Sequence, residues 1–453
     1  MPATRLLERI RNHAAARAPA WNRVAVALVA AVFLIQWAHV AVRPRGDFHL
    51  HWESGRRLVA GEFLYDGSLN CSYPPFWALA HAPLTVLPMH AAQVLLFPLC
   101  ALALAALVWS LADVLREHLP ASRGSIFWSS VLALGLASRF LVRDMLECGV
   151  NLALVAASWA AVALWMRRRD GWAGILLGAA IALKCTPALF LAWFLWKRQW
   201  KVAIVTAATT AVLTLSPILV MGGRAWSESL GYWVQLASRG AGHDPSQGVL
   251  GEEPLQNISL RAALGRFLMR LPAGHAGRID HPLDFDALDL SPAAAGWTVK
   301  LLTLLLVGWV AWSFRGRVVE RRRLDLVWEC AAVSILLLLL SPITWGQHCV
   351  GVVPVLYVLA RTSASGRHVP AWARWTVSAY AVLLLGLNRA VVGQKLSWLL
   401  DSYHVTTWCL VALLVVAVRC RSLAVVPVDG RASGRLLNND YDVCDAHRQA
   451  RPC

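Results

Sequence analysis

One carboxylate, Asp47, occurs where it could act as a general base. It stands in the sequence Gly-Asp-Phe at 46–48, directly after a long apolar stretch. A carboxylate at a membrane surface in partly apolar surroundings can have a raised pKa and accept a proton from a hydroxyl. A competing interpretation is a solvated carboxylate beside Arg43 and Arg45, which would contribute little.

A second group of polar side chains lies in the turn at 341–348, whose sequence is Ser-Pro-Ile-Thr-Trp-Gly-Gln-His. Its proline and glycine interrupt two apolar helices. Trp345, Gln347 and His348 can each form hydrogen bonds there, and histidine suits contact with a phosphate or a reacting hydroxyl. Alternatively, these are interfacial residues, since tryptophan prefers that depth in a membrane.

Lys184 lies in the middle of an apolar segment at 172–196, together with Pro187. An ionisable residue inside a membrane is a functional candidate by default. We expect Lys184 nearer the cytoplasmic side, where a lysine can also extend its ammonium group to lipid headgroups and have no further role.

Four aspartates and a histidine form an acidic cluster in the stretch 280–289. Oxygen ligands can bind a divalent cation, but this spacing does not match an EF-hand, and a solvated loop is the favoured interpretation. We predict neither a metal site nor a cofactor. The sequence also has no phosphate-binding glycine loop, HExxH or GxSxG motif, so nucleotide chemistry on a soluble domain is unsupported. The members of the cluster are Asp280, His281, Asp284, Asp286 and Asp289.

The elements that must position these residues are membrane helices. Hydrophobic residues make up 58% of the 453, and the mean hydropathy is +0.52. They are concentrated in blocks that approach the ~20 residues needed to cross a hydrocarbon core, and in lipid such blocks must be helical. The net charge of +17 is concentrated at the ends of these blocks. This distribution indicates membrane orientation and contact with anionic lipid, and it argues against a nucleic-acid partner.

We therefore predict an all-α polytopic integral membrane protein. The segment 172–196 is flanked by basic clusters at 167–169 and 197–201, so a single crossing would place one cluster outside. A hairpin of two short helices, broken near Pro187, avoids that conflict. With the hairpin, the bundle has about twelve transmembrane or re-entrant helices, and the other spans are at 24–42, 91–113, 126–142, 149–166, 202–221, 297–314, 326–340, 349–360, 375–388 and 403–418.

Lysine and arginine concentrate on the inner side if the N-terminus is cytoplasmic, as the positive-inside rule expects. The predicted organisation is a basic cytoplasmic N-terminus at 1–23, a membrane domain at 24–418 and a cytoplasmic, disordered tail at 419–453. The outer loops are 43–75, 222–296 and 341–348. Asp47 and His348 then fall on the same outer face of a multi-pass protein of the cell membrane, which favours a single site there.

Four motifs in order resemble glycosyltransferase family 87. The loop from Asp47 through Gly-Glu-Phe-Leu-Tyr at 61–65 to Tyr-Pro-Pro at 73–75 is similar to the family's early loop. Leu-Lys-Cys-Thr-Pro at 183–187 resembles its lysine–proline hairpin, and Asn-Ile-Ser-Leu at 257–260 its Asn-x-Ser-Leu element. The turn at 341–348 resembles its Ser-Pro-x-x-Trp-x-x-His turn. One departure is Cys-Gly-Val-Asn at 148–151, where the family often has Gly-Gln-x-Asn, so only Asn151 matches.

The resemblance implies a GT-C-type membrane glycosyltransferase with an outer-face active site. Its donor would be a polyprenyl-phosphate sugar, usually polyprenyl-phosphate-mannose, and its acceptor a glycolipid or envelope glycan. Asp47 would be the general base on the acceptor hydroxyl, and His348 would contact the donor phosphate. Arginine guanidinium groups also suit phosphate. The further substrate contacts expected are Arg56, Arg57, Tyr73, Lys184, Asn257, Trp345 and Gln347.

A single catalytic base implies direct displacement with inversion, because double displacement needs a second carboxylate as nucleophile. A polyprenyl-phosphate-arabinose donor is an open alternative. Two other classes are a transporter or flippase of lipid-linked sugars, which would often contain inverted repeats that we do not detect, and a non-catalytic assembly subunit. Membrane lipid is an expected partner.

Overall fold

The protein is described from a computed structural model that covers residues 2–43, 46–65, 71–119, 122–278 and 288–423, with side chains from residue 20 onward. The predicted tail at 419–453 and most of the acidic cluster at 280–289 therefore lie outside the described residues, apart from 419–423, 288 and Asp289. The described chain is almost entirely helical, as predicted.

The first ten helices are α1 (Pro2–Val42), α2 (Phe48–Ala60), α3 (Pro75–His81), α4 (Met89–Leu96), α5 (Leu99–Leu115), α6 (Arg123–Leu136), α7 (Ser138–Leu146), α8 (Val150–Met166), α9 (Asp170–Leu183) and α10 (Ala188–Trp196). The next nine are α11 (Trp200–Leu215), α12 (Ile218–Arg239), α13 (Leu260–Leu268), α14 (Pro292–Ser313), α15 (Leu324–Leu340), α16 (Val353–Ala364), α17 (Ala371–Ala381), α18 (Arg389–Ser402) and α19 (Val405–Leu423). Short 3-10 segments occupy Ala82–Val86 and Gly346–Val352, and a π turn occupies Val382–Gly386. Within the described ranges the only strands form one antiparallel pair, β1 (Gln247–Gly248) and β2 (Gly251–Glu252), with Gln247 opposite Glu252.

Three segments of the described chain are long and apolar enough to cross a membrane. They are Ala20–Val42, Met89–Leu115 and Pro292–Ser313, and little of each is buried within the protein. A long helix with an apolar, uncovered surface belongs in lipid, so this is a membrane protein. Three bent helix pairs raise the number to as many as six. The count of about twelve stays a prediction, because the remaining apolar helices are shorter.

Two predicted spans contain a sharp bend that the sequence did not predict, and a third ends at one. The predicted span 126–142 bends by 73° between α6 and α7, and 202–221 by 89° between α11 and α12, where Pro217 interrupts the helix. The predicted span 375–388 precedes a bend of 101° before α18. Proline explains the second bend, since it removes a backbone donor and clashes with the preceding turn. The bend before α7 has consequences for the site.

The predicted hairpin is confirmed as two short helices that reverse direction. α9 lies parallel to α11, because Gly174 contacts Val205 and Gly178 contacts Thr209, each so closely that an added Cβ would lie 2.6 or 2.7 Å from its neighbour. α10 must therefore run back between them. The indole of Trp165 at the end of α8 donates to Gln199, 3.1 Å away, so the two flanking basic clusters share one end of the bundle.

That end, which we call the basic end, is held by ion pairs between buried or half-buried groups. Lys197 contacts Glu329 at 2.7 Å, and Arg421 contacts the same carboxylate at 2.9 Å. Arg321 pairs with Asp170. Buried charges need such partners, since removing one would leave an uncompensated charge. α15 carries Glu329 and is buried almost along its whole length, which explains why it is apolar on all sides.

Candidate active site

A cavity of about 360 Å³ lies at the end of the bundle opposite the basic end. Four elements meet there: the start of α2, the residue after α7, the break between α9 and α10, and the turn at 341–348. They bring together the ionisable and polar groups Asp47, Arg143, Glu147, Lys184 and His348, with Tyr73, Trp345 and Gln347 in the walls. Six of the nine predicted site residues, three of them in the 341–348 turn and three in distant segments, therefore share one cavity.

Asp47 immediately precedes α2, and its side chain forms no capping bond, so its carboxylate is left for other partners. The amide of Gln347 approaches its Oδ2 at 3.4 Å. The preceding Gly46 has φ +77°, and an added Cβ there would lie 2.6 Å from Cγ of Glu147. This position therefore requires glycine, both for its left-handed backbone and for the close approach of the two segments.

Glu147 is the carboxylate that sequence reasoning missed. Its side chain lies beside the 46–47 segment, as the close approach to Gly46 shows, and the guanidinium group of Arg143 is 3.9 Å from its carboxylate. Burial, followed by the negative charge of Asp47, raises the pKa of Glu147 to about 7. Near neutral pH Glu147 can therefore hold a proton. An available signal was the presence of Asp144 and Glu147 between two apolar segments, where carboxylates are expensive to place.

Lys184, expected nearer the cytoplasmic side than Asp47 and His348, instead lies in the same cavity as both of them. α9 begins at the basic end and runs the length of the bundle, so the residue after it reaches the opposite end. The ammonium group of Lys184 donates to Oδ1 of Asn151 at 2.8 Å and lies 3.1 Å from Nε2 of His348. Asn151, the matching residue of the 148–151 element, is itself held by Asp144 at 2.8 Å. A continuous polar chain thus leads from Asp144 to the histidine.

His348 is half-buried in the 3-10 turn, with its two ring nitrogens in different surroundings. Nδ1 lies 3.2 Å from the carbonyl of Ile343 and 3.1 Å from the backbone N–H of Trp345. If Nδ1 carries the proton and donates to Ile343, Nε2 can accept from Lys184. Burial, followed by the charge of Lys184, lowers the pKa of His348 well below its usual value. The imidazole is therefore neutral at physiological pH.

Asn257 does not line the cavity, although it is predicted to bind substrate. Its Nδ2 donates to the carbonyl of Pro342 at 2.8 Å, and its Oδ1 accepts from the backbone N–H of Thr344 at 2.9 Å. It therefore holds the 341–348 turn in position from behind. Gln347 does face the cavity, and its buried Oε1 has no hydrogen-bond partner among the described residues. A substrate hydroxyl could satisfy that oxygen.

Arg56 and Arg57 are likewise placed outside the cavity. Arg56 pairs with Glu53 at 2.7 Å and with Glu62 at 2.8 Å, and Arg57 is buried against Glu53 at 3.1 Å. The phase of α2 turns both guanidinium groups towards these carboxylates. The arginine that reaches the cavity is Arg143, which the sequence did not indicate. Among the described residues, no group of three or more potential metal ligands occurs.

A helical membrane protein whose half-buried carboxyls, lysine and histidine converge on one cavity has the layout of a membrane-embedded enzyme. The family model of glycosyltransferase family 87 matches residues 72–342. The chain belongs to that family and is a glycosyltransferase. The matched stretch contains Arg143, Glu147 and Lys184, whereas Asp47 and His348 lie just beyond its two ends.

Curated relatives of this chain are mycobacterial. It is 28% identical to a polyprenol-phosphate-mannose-dependent alpha-(1-2)-phosphatidylinositol mannoside mannosyltransferase of Mycolicibacterium smegmatis, over 75% of this chain and 76% of the relative. The protein of the same name from Mycobacterium tuberculosis is 28% identical over 70% and 69%. A polyprenol-phosphate-mannose-dependent alpha-(1-2)-phosphatidylinositol pentamannoside mannosyltransferase of Mycolicibacterium smegmatis is 27% identical over 85% of both chains.

Proposed function

We propose that this chain transfers mannose from a polyprenyl-phosphate-mannose donor to a glycolipid or envelope-glycan acceptor at the outer face of the cell membrane. The family supplies the reaction type, and all three relatives are named for a polyprenol-phosphate-mannose donor and a phosphatidylinositol mannoside acceptor. We extend that donor to this chain, together with an acceptor of the same chemical class.

The observation that carries the proposal is the division of charge within one cavity. Asp47 and Glu147 form an acidic pair on one side, whereas Lys184 and His348 form a hydrogen-bonding pair on the other. Transfer from a sugar phosphate needs both, since a hydroxyl must lose a proton while a phosphate gains negative charge. Neither pair alone would distinguish an enzyme from a binding protein.

In the proposed reaction Asp47 accepts the proton of the acceptor hydroxyl. The acceptor oxygen forms a bond to the anomeric carbon of the sugar, and the bond from that carbon to the phosphate oxygen breaks. The polyprenyl phosphate departs with the electron pair, stabilised by the ammonium group of Lys184 and by hydrogen bonding with His348. The chemistry uses no metal, because phosphate is already a good leaving group.

The arrangement of the two carboxyls supports inversion. A retaining enzyme needs a nucleophilic carboxylate and an acid–base carboxyl ~5–5.5 Å apart, on either side of the scissile bond. Glu147 instead lies next to Asp47 in the same wall, since an added Cβ on Gly46 would lie 2.6 Å from Cγ of Glu147. Glu147 therefore supports the base and does not act as a nucleophile.

The proposed orientation places both described ends of the chain in the cytoplasm. α1 precedes Asp47 and so reaches the cavity end from the opposite side, and Arg421 near the end of α19 pairs with Glu329 at the basic end. The positive-inside rule assigns a basic end to the cytoplasm. A multi-pass arrangement with an outer cavity follows.

The experiment supplies the purified protein in proteoliposomes with labelled polyprenyl-phosphate-mannose and, separately, polyprenyl-phosphate-arabinose, with phosphatidylinositol mannosides as acceptors. We expect label to enter the acceptor from the mannose donor alone, with an inverted anomeric configuration in the product. Transfer from the arabinose donor would show that the proposed identity of the transferred sugar is wrong. If the donor moved between leaflets unreacted and no sugar were transferred, the protein would be a flippase and the proposed enzymatic function would be wrong.

A further inference from the structure

A second cavity of about 150 Å³ lies behind the turn that carries Trp345, Gly346 and Gln347. Trp345 and Gln347 face the first cavity, whereas Gly346 faces the second. Arg143 lines both, and an added Cβ at Gly346 would lie 3.4 Å from its Cδ and Nη1. The two cavities are therefore adjacent, and the side chain of Arg143 lines both of them.

Two arginines of α7, Arg139 and Arg143, line this second cavity. They are four residues apart, so they lie on the same face of the helix. The guanidinium group of Arg139 makes one long hydrogen bond, of 3.4 Å, to the carbonyl of Leu384. Arg143 contacts Glu147 only at 3.9 Å. Neither arginine thus has a close carboxylate partner among the described residues.

At the basic end of the bundle, two arginines are neutralised by close carboxylates. Arg321 pairs with Asp170 at the basic end, and Arg421 contacts Glu329 at 2.9 Å. Asp401 also lines the second cavity; the charges of both arginines act on it, but neither forms a direct ion pair with it. Two guanidinium groups that face a cavity with unused donors suit an anion with several acceptor oxygens.

The remaining lining offers polar groups as well as apolar ones. His404 and Thr406 contribute to the wall together with Gln256. The volume is several times the ~30 Å³ that one water occupies in the liquid, so a phosphate with part of a polyol ring can enter. The cavity is thus larger than a gap left between packed helices and more polar than the adjoining bundle.

We propose that the second cavity binds the phosphodiester of an anionic acceptor lipid, with Arg139 as its dedicated ligand. This inference rests on the proposed function. The phosphate of the donor is assigned to the Lys184 and His348 side of the first cavity, next to the reacting carbon. An acceptor that presents its hydroxyl to Asp47 extends away from that point, past Arg143, and carries its own phosphate into the second cavity.

The test compares two acceptors with full-length wild-type protein and Arg139→Gln. One acceptor is a phosphatidylinositol mannoside, and the other is an alkyl mannoside that lacks phosphate. We expect Arg139→Gln to raise the KM for the phosphate-bearing acceptor by about 10- to 100-fold, the effect of losing a charged hydrogen bond. The KM for the donor and the transfer to alkyl mannoside stay unchanged, and Arg139→Lys restores part of the loss.

The matched control is Arg224→Gln, because Arg224 is 93% exposed and its partner is Glu228 on the surface of α12. An equal rise in KM for both acceptors, or a rise in the donor KM, would overturn the assignment. Inorganic phosphate tests a free anion: if its inhibition disappears in Arg139→Gln while neither acceptor KM changes, the acceptor assignment is wrong. A wild-type protein that modifies neither acceptor would instead refute the proposed function.

Discussion

Replacement of Glu147 by glutamine should change how stability depends on pH. Burial and the neighbouring Asp47 raise the pKa of Glu147 from 4.5 to about 7. In the unfolded chain the carboxyl ionises near its usual pKa, so between these two values the folded state holds the extra proton. The favourable contribution of this proton to the free energy of unfolding is complete below pH 4.5 and is lost as the pH rises through about 7.

The size of the effect follows from the same shift. At 1.36 kcal/mol per pKa unit, the free energy of unfolding would differ by roughly 3 kcal/mol between the low-pH and high-pH limits. The side chain is 16% exposed beside a solvent-filled cavity, and screening there reduces the interaction, so we expect about 2 kcal/mol. For a chain of this size that corresponds to a difference of roughly 2–4 °C in Tm.

The assay is thermal unfolding of the detergent-solubilised protein at one scan rate, from pH 4.5 to 8.5. Wild type should lose stability across this range relative to Glu147→Gln, which cannot ionise at that position. Glu228→Gln on the exposed surface of α12 is the control for charge removal and should follow wild type. Parallel pH curves for wild type and Glu147→Gln would refute the reasoning.

Three further predictions concern transfer kinetics. Lys184→Met should lower kcat by roughly 100-fold or more, because the leaving phosphate loses its cation; an unchanged kcat would remove Lys184 from the reaction. His348→Ala should lower turnover and raise the donor KM. A variant with wild-type kinetics would contradict the proposed role of His348 beside Lys184. Arg56→Ala should leave both kinetic constants within about twofold of wild type, since exposed ion pairs contribute little; a large rise in donor KM would return this residue to the site.

The sequence was sufficient to predict a helical membrane protein and to place Asp47 and His348 together. Both predictions rest on strong signals, namely apolar blocks and the asymmetry of basic residues. It also predicted the break at Lys184 correctly. It did not place Lys184 in the cavity of Asp47 and His348, because the segment 172–196 contains no signal for how far α9 extends before the chain reverses.

Three cavity residues were not predicted from the sequence, and one reason explains all three. Arg139, Arg143 and Glu147 follow one another at intervals of four residues on and just after α7. The prediction treated 126–142 as a straight crossing, and hydropathy alone cannot reveal a bend of 73°. Once the helix bends, this face turns towards the two cavities. The two arginines of α2 were predicted to bind substrate but do not line the cavity. The reason is similar, because the direction in which each side chain leaves the helix decides which groups it contacts.

The most direct test of the central claim measures transfer of labelled mannose from polyprenyl-phosphate-mannose by purified Asp47→Asn. Asparagine matches the shape of aspartate but cannot accept the proton of the acceptor hydroxyl. The account predicts a folded protein that binds the donor with wild-type affinity and transfers no detectable mannose, while Glu228→Gln transfers at the wild-type rate. An Asp47→Asn enzyme that transfers mannose as fast as wild type would contradict the account.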